Sequence, residues 1–364
     1  MFEYLVTKEI ESLKPYPPGK PIEEVERELG ITDVIKMASN ENCLGPSPKA
    51  MAAVAKAIPD LHRYPDASGF LLKQALSANL GLDAGHIALG NGSDEIIELT
   101  ARCFLRPGQK VITSDPTFLF YSIVVLGAGG RLERVPLKNF KHDLAGISQA
   151  IDADTRIIFL DTPNNPSGSA IPADDLKSFI NDLPKTVVLV LDEAYRDFVR
   201  GEEVLDPLEY INGDRPVIFM RTFSKAYGLA GLRIGYGLAH SEIISYFDRV
   251  RQPFDINSLA QVGAMAALSD TEFYDKTLHT TWSGLDFLWE ELDRLKLHCH
   301  RSQTNYFLLD LDRPADEVTD MLMKEGIIVR SMASYGMSST IRITVGLPEE
   351  NQRLINALKK ILSV

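Results

Sequence analysis

Cysteine is scarce in this chain of 364 residues, which contains only Cys43, Cys103 and Cys299. The three are scattered without the spacing of metal ligands, so we expect no metal site and no structural disulfide, as in a reducing compartment. Long apolar runs are missing too, because VVLVL (187–191) is far too short to cross a bilayer. The N-terminal MFEYLVTKEIE has acidic residues where a signal peptide would be basic, so we expect a cytoplasmic protein that does not bind membranes.

The chain also has no basic excess. Its net charge of −12 argues against a nucleic-acid partner. Neither a GxGxxG fingerprint nor a phosphate-binding loop of the GxxxxGK[ST] type occurs, so those nucleotide-binding signatures are excluded. With 45% hydrophobic and 24% charged residues, the composition is that of an ordinary globular protein.

Short apolar runs bounded by charged or turn residues predict buried strands of a parallel sheet. They are KVITSD (110–115), TRIIFLD (155–161), TVVLVLD (186–192) and PVIFMR (216–221). Amphipathic stretches at 94–105 and 172–182 predict helices between them. This alternation indicates an α/β fold with an open sheet, in which ligands bind beyond the carboxyl ends of the strands.

The pattern changes from about residue 280 onward. A helix-like WSGLDFLWEELDRL precedes the strand-like YFLLDLD, the helix-like ADEVTDMLMKEG, and then IIVRS, TIRITVG and a last helix. We therefore predict an N-terminal arm (1–42) that joins a small domain, a large domain (43–258) and a small α+β domain (259–364).

The segment RTFSKAYGLAGLRIGYG (221–237) supplies a candidate nucleophile. Lys225 follows a predicted strand and lies among Thr222, Ser224 and Arg233, which could hold a phosphate. A lysine becomes nucleophilic near neutral pH when it is desolvated or close to another cation. Taken alone, the segment is more often a polar turn that enters a helix.

Three other motifs have the same ambiguity. Asn165 in DTPNNPSG is either a turn residue or a side chain directed above the sheet. Asp192 in VLDEAYRDF is either a helix cap or a buried anion, with Tyr195 on a neighbouring face. GNGSDEIIEL begins a helix at Ser93 and Asp94, where free N–H groups can bind an anion. Together, in this order, the motifs favour one shared site.

These residues carry a family resemblance over essentially the whole chain. The segments LKPYPPGKP, SNENCLGPSPKA, RYPD, NGSDE, DPTFLFY, TPNNPSG, DEAY, SKAYGLAGLRIGY and IIVRSMASYG…IRITVG occur in the family's order. The chain resembles fold-type I pyridoxal-phosphate aminotransferases and, within them, histidinol-phosphate aminotransferases. The resemblance implies a large domain with a mostly parallel central sheet between helices, a smaller α+β domain, pyridoxal 5'-phosphate as cofactor, and a homodimer with its active site at the interface.

The resemblance also implies roles around the cofactor ring. Lys225 would bind the cofactor covalently and then move a proton between the substrate's α-carbon and the cofactor's C4′. Asp192 would pair with the pyridine nitrogen, while Asn165 and Tyr195 would hydrogen-bond the phenolic oxygen. Phe118 would stack on the ring, although a core aromatic is a strong competing interpretation.

A cup for the cofactor phosphate is implied at Ser93, Asp94, Thr222, Ser224 and Arg233. A carboxylate near a phosphate is unfavourable, so Asp94 is expected to act mainly through its backbone N–H. Tyr64 resembles the family's tyrosine that reaches the phosphate of the neighbouring subunit.

Substrate recognition is implied for two late arginines. Arg330 and Arg342 are expected to bind the phosphate of histidinol phosphate, and Arg342 also the carboxylate of glutamate or 2-oxoglutarate. Tyr16 is expected to close over the same phosphate. The chain departs from the family pattern at Ser331. In that pattern a proline follows the first of the two arginines, whereas this chain has serine.

The implied reaction converts L-histidinol phosphate and 2-oxoglutarate into imidazole acetol phosphate and L-glutamate in histidine biosynthesis. An aromatic amino-acid aminotransferase is the alternative, and a threonine-phosphate decarboxylase is a weaker one. A non-catalytic effector domain would need a DNA-binding domain, for which the chain has no room. A cofactor-free Schiff-base aldolase is the last alternative.

Overall fold

The computed structural model describes residues 5–11, 13–16, 19–201 and 204–363. Pro17 and Pro18 of the predicted N-terminal arm lie outside the described residues. The strands are β1 Ile35–Lys36, β2 Ile87–Asn91, β3 Lys110–Asp115, β4 Arg131–Pro136, β5 Thr155–Asp161, β6 Val188–Asp192, β7 Val217–Thr222, β8 Ile234–Leu238, β9 Cys299–His300, β10 Tyr306–Asp310, β11 Ile327–Ile328, β12 Arg330–Ser331 and β13 Thr340–Thr344.

Helices surround these strands. They are α1 Lys8–Glu11, α2 Ile22–Leu29, α3 Pro48–Ala57, α4 Phe70–Leu80, α5 Ser93–Phe104, α6 Leu119–Gly127, α7 Leu144–Ala150, α8 Ala173–Asp182, α9 Leu208–Ile211, α10 Ser241–Val250, α11 Ser258–Leu268, α12 Thr271–Arg294, α13 Ala315–Lys324 and α14 Pro348–Leu362. None of the helices in the described ranges has the length and apolar content needed to cross a membrane.

A seven-stranded sheet has the order β2-β8-β7-β6-β5-β3-β4. Its neighbouring strands are parallel except at β8, which runs antiparallel to both β2 and β7. The predicted strands at 110–115 and 155–161 are confirmed to the residue. The strand predicted at 186–192 is confirmed with its start at Val188, and the one predicted at 216–221 is confirmed as Val217–Thr222. The α/β fold class predicted from the sequence is confirmed.

Both faces of this sheet are covered, which explains the unbroken apolar strands. Along β6, Leu189 and Leu191 belong to one buried cluster, while Val188 and Val190 belong to another. Successive side chains of a strand point to opposite faces, so the two clusters lie on opposite sides of the sheet. A strand buried on both faces cannot alternate apolar with polar residues.

The second part of the chain has an antiparallel four-stranded sheet with the order β12-β13-β10-β9. Helices α12, α13 and α14 supply side chains to its buried core. Strand β1 pairs in parallel with β11, so residues 35–36 are joined to this part of the chain. The predicted domain boundaries at 42/43 and 258/259 stay predictions.

The carboxyl edge of the large sheet is where polar residues collect. Asp161 ends β5 and is paired in register with Asp192 at the end of β6. Thr222 ends the neighbouring strand β7, immediately before the segment that contains Lys225. The register therefore brings the motifs from three separate parts of the sequence to one edge.

Candidate active site

A cavity of about 610 Å³ lies between this edge and the four-stranded sheet. Every predicted site residue except Tyr64 lines it: Tyr16, Ser93, Asp94, Phe118, Asn165, Asp192, Tyr195, Thr222, Ser224, Lys225, Arg233, Arg330 and Arg342. Motifs that are individually ambiguous in sequence thus share one site.

Lys225 projects its amine into this cavity. Its Nζ is 3.5 Å from the carbonyl oxygen of Ser39 and 5.6 Å from the ring centroid of Tyr195. Burial, aided by the positive charge of Arg342, lowers the pKa of Lys225 to about 8. An appreciable fraction of the amine is therefore neutral, and so nucleophilic, near physiological pH.

Asp192 is buried beneath the cavity. Its Oδ2 accepts a hydrogen bond of 2.7 Å from the Tyr121 hydroxyl, and its Oδ1 accepts one of 3.0 Å from the Ala194 N–H. Burial, with a smaller contribution from the neighbouring Asp161 charge, raises the pKa of Asp192 to about 7. Both hydrogen-bond donors are neutral, so a cationic group placed against this carboxylate would relieve the cost of its burial.

The start of α5 and the segment after β7 form a cup of donors. Thr222 donates its hydroxyl to Ser224 Oγ at 2.9 Å, and Arg233 Nη2 is 3.0 Å from Asp94 Oδ2. Gly92, at φ 76°, precedes Ser93 at the start of the helix. The positive φ favours glycine here, and the missing Cβ leaves room for Arg233 Nη2, which would lie 2.3 Å from a Cβ at Gly92.

Asp94 does more than the sequence analysis predicts. The expected contribution is a backbone N–H, but its carboxylate also pairs with Arg233. Burial raises the pKa of Asp94, while the charges of Arg233 and Lys225 oppose that shift. The pair holds the guanidinium at the start of the helix, where an anion is favoured.

Asn165 and Tyr195 have partners on the far side of the cavity. The Asn165 Oδ1 accepts a hydrogen bond of 2.6 Å from Arg342 Nη1, and the Tyr195 hydroxyl accepts one of 2.8 Å from Asn40 Nδ2. Burial raises the pKa of Tyr195 to about 12, so the phenol stays protonated at neutral pH. Asn165 thus connects the large sheet to the arginine of the small one.

The two late arginines face each other across an antiparallel strand pair. Arg330 in β12 is directly opposite Arg342 in β13. Arg342 also donates to the Ala38 carbonyl at 2.9 Å, and its Nε is buried without a hydrogen-bond partner among the described residues. Ser331, the departure from the family pattern, donates to Asp316 and leaves Arg330 on the cavity wall.

The aromatic residues divide into two groups. Phe118 lines the cavity while packing against the core, and Tyr16 lies edge-on to it with ring centroids 6.4 Å apart. Tyr64 does not line the cavity. It is 82% exposed and stacks on Phe254 at 4.6 Å.

Comparison with known proteins decides the family. Residues 32–358 match the sequence profile described as "Aminotransferase class I and II". This chain belongs to the class I and II aminotransferase family. The resemblance found in the sequence motifs is therefore confirmed.

Two relatives of this aminotransferase match it over nearly the whole length. The histidinol-phosphate aminotransferase of Desulfotalea psychrophila is 46% identical over 360 residues, which cover 98% of this chain and 95% of that protein. The histidinol-phosphate aminotransferase of Moorella thermoacetica is 44% identical over 353 residues, which cover 97% of this chain and 92% of that protein.

A solved structure agrees with these sequence relatives. The crystal structure of histidinol-phosphate aminotransferase from Sinorhizobium meliloti, in complex with pyridoxal 5'-phosphate, superimposes with a TM-score of 0.90 at 32% identity, covering 98% of this chain and 97% of that one. An L-threonine-O-3-phosphate decarboxylase from Porphyromonas gingivalis reaches a TM-score of 0.81 at 24% identity and so shows the fold alone. The predicted fold-type I architecture and the predicted cofactor, pyridoxal 5'-phosphate, are confirmed.

The cavity of this aminotransferase fits that cofactor. The cup at Ser93 and Arg233 has hydroxyl, N–H and guanidinium donors suited to a phosphate. Asp192 is a buried carboxylate whose neutral donors leave it suited to a protonated ring nitrogen. Lys225 has a partly neutral amine, which would be suited to react with the cofactor's aldehyde. The assignment of individual residues to these contacts stays a prediction.

Sequence reasoning missed several residues that hold this aminotransferase site together. Asp161 accepts hydrogen bonds from Thr117 Oγ1 at 2.7 Å, from Asn164 Nδ2 at 2.9 Å and from the Asn165 N–H at 2.7 Å, so it fixes the loop that carries Asn165. Its position at the end of a predicted strand, like that of Asp192, was the available signal. Asn40 and Tyr121 were also missed, because their partners are far away in sequence.

Proposed function

We propose that this chain transfers an amino group reversibly between L-histidinol phosphate and 2-oxoglutarate, giving imidazole acetol phosphate and L-glutamate in histidine biosynthesis. The single observation that carries the proposal is that Lys225 and Asp192 line the same cavity as Arg330 and Arg342. The first pair suits chemistry at an amine-bearing carbon, and the second pair suits a doubly charged phosphate ester.

Lys225 and Asp192 would perform the chemistry at the α-carbon. The amine of Lys225 would bind the cofactor and, once released by substrate, accept the α-proton, a role that its lowered pKa supports. Pyridoxal 5'-phosphate, when bound, acts as the electron sink for the charge left by that proton. Asp192 would keep the ring nitrogen protonated, and Tyr195 and Asn165 would orient the ring through its phenolic oxygen.

Arg330 and Arg342 would select the substrate. Their guanidinium groups come from adjacent strands, so both can approach one phosphate, which binds arginine in a bidentate manner. In the part of the chain that the structure describes, the buried Nε of Arg342 has no hydrogen-bond partner, so this arginine has an unused donor. Tyr16, which lines the cavity beside Phe118, would cover the phosphate.

A homodimer is part of the proposal. Large apolar side chains are exposed along the segment before and within α4: Met51, Ile58, Leu61, Tyr64, Phe70 and Leu71. Several large apolar side chains exposed within one segment favour a protein interface there. Tyr64, at the centre of this segment, would then reach the phosphate cup of the partner. The cytoplasmic location stays a prediction.

A substrate panel with purified protein and 2-oxoglutarate tests the proposal. We expect the highest kcat/KM for L-histidinol phosphate, with much lower values for phenylalanine and tyrosine. Faster turnover of the aromatic amino acids would make the protein an aromatic aminotransferase instead. Release of CO2 from threonine phosphate would identify a decarboxylase.

A further inference from the structure

Two histidines and an aspartate meet at the outer edge of the four-stranded sheet. His298 and His300 are two residues apart at β9, so their side chains lie on the same face of the strand. Asp310 is on the neighbouring strand β10, where its N–H donates to the His298 carbonyl at 2.9 Å. Its Oδ2 is 2.9 Å from His298 Nδ1 and 2.8 Å from His300 Nε2.

We propose that His298, His300 and Asp310 form a binding site for a divalent transition-metal ion, with Zn²⁺ as the ion that suits the donors best. One ligand atom from each residue lies within 4.8 Å of the others. In a tetrahedral zinc site with bonds of about 2.0–2.1 Å, neighbouring ligand atoms are about 3.3 Å apart. The Asp310 oxygen is thus about 0.5 Å too close to each imidazole nitrogen, and the widest separation in the cluster, up to 4.8 Å, would shorten to about 3.3 Å around the ion.

The surroundings already orient the ligands. Thr340 in β13 donates its hydroxyl to Asp310 Oδ1 at 3.0 Å, which turns Oδ2 toward the two imidazoles. The ring of Phe140 packs on His300 with centroids 4.0 Å apart. Such partners behind the ligands fix their direction and raise metal affinity.

The site is open on one side. The His298 side chain is 72% exposed and that of His300 is 16% exposed, so an ion can enter from solvent and keep water as a further ligand. Imidazole nitrogen favours zinc, copper or nickel over magnesium and calcium, which prefer oxygen ligands. Cys299 alternates to the opposite face, where it packs against the small-sheet core, and is not a ligand.

The position suggests what a bound ion would do. It would join β9 to β10 and hold His300 against Phe140, which belongs to the segment between β4 and α7. The ion would thus strengthen the contact between the small sheet and the segment that joins β4 to α7. The scattered cysteines predict no metal site, and this cluster, which contains no cysteine, contradicts that expectation if it binds zinc.

Equilibrium dialysis of the purified holoenzyme against dilute Zn²⁺, followed by metal analysis, tests the proposal. We expect about one zinc ion per chain, less at acid pH because protons compete for the imidazoles, and no retained Mg²⁺. His298→Asn and Asp310→Asn should lose the ion, and Thr340→Val should bind it about 10- to 100-fold more weakly. The matched control is His279→Asn, an exposed histidine of α12, which should retain it.

Two results would overturn the site. One is a wild-type protein that retains no zinc, which would leave two histidines that are hydrogen-bonded to one aspartate. The other is undiminished zinc in His298→Asn. Because His298 is exposed, this substitution should leave the fold intact. That variant decides the question even if Asp310→Asn fails to fold.

Discussion

Replacing Asp192 by Asn removes the charge from the buried end of the cavity while keeping the shape of the side chain. The asparagine carbonyl can still accept the Tyr121 hydroxyl, which donates to Asp192 at 2.7 Å. The fold should therefore persist. A protonated ring nitrogen, however, would lose its anionic partner in a buried setting, and such a loss costs about 3–5 kcal/mol. If that loss falls on the transition state, kcat should decrease roughly 10²- to 10⁴-fold.

Tyr121→Phe is the matched comparison, because it removes one hydrogen bond from Asp192 and leaves the carboxylate. A hydrogen bond to a charged group contributes about 1.5–3 kcal/mol, so its loss should reduce kcat less than the asparagine does. Single-turnover kinetics with histidinol phosphate measure both variants, and retained cofactor absorbance confirms loading. An Asp192→Asn enzyme within tenfold of wild type would refute the assigned role of this carboxylate.

The remaining predictions concern the amine, the substrate anion and the subunit interface. Burial lowers the pKa of Lys225 from 10.5 to about 8, so the fraction of neutral amine increases as the pH rises through about 8. The rate at which the apoenzyme binds the cofactor should therefore show an inflection near pH 8. An inflection near pH 10 would contradict the lowered pKa. At pH 7 the neutral fraction is then about 300-fold larger than for an ordinary lysine. Arg330→Ala should lower kcat/KM for histidinol phosphate about 10- to 150-fold but leave phosphate-free histidinol unchanged, whereas exposed Arg294→Ala should alter neither. We expect Tyr64→Ala and Lys225→Ala each to inactivate the enzyme, and mixing the two variants should restore activity. In a hybrid dimer, one site combines Lys225 of one subunit with Tyr64 of the other and is therefore intact. No recovery after subunit exchange would rule out a role of Tyr64 across an interface.

The central strands were predictable because burial on both faces forces unbroken apolar runs, as in β5 and β6. Strand β8 was not, because its sequence IGYGL contains glycines that resemble a turn. The structure explains them: a Cβ at Gly235 would lie 2.4 Å from the Ser93 N, and one at Gly237 would lie 3.1 Å from Ile96 Cγ2. The glycines let α5 pack directly on the strand, a tertiary demand that local propensity does not reveal.

The site was predictable where residues follow strands and less so where it depends on long-range pairing. Asp192 ends one apolar strand and Lys225 comes three residues after the neighbouring one, at the same edge of the sheet. Asn40 contacts Tyr195 through its side chain and Thr344 through its backbone N–H, across 155 and 304 positions of sequence. No periodicity in the sequence encodes such contacts, so only the folded chain reveals them.

The most direct test of the account is to find which lysine binds the cofactor. Borohydride reduction of the holoenzyme, followed by proteolysis and peptide mass analysis, fixes the cofactor on its lysine. We expect the label on Lys225 alone. Lys36 lines the same cavity, with its Nζ 3.1 Å from Glu41 Oε1, and is the built-in alternative. A label on Lys36, or on any lysine outside the cavity, would contradict the assignment of Lys225 as the reactive amine above Asp192.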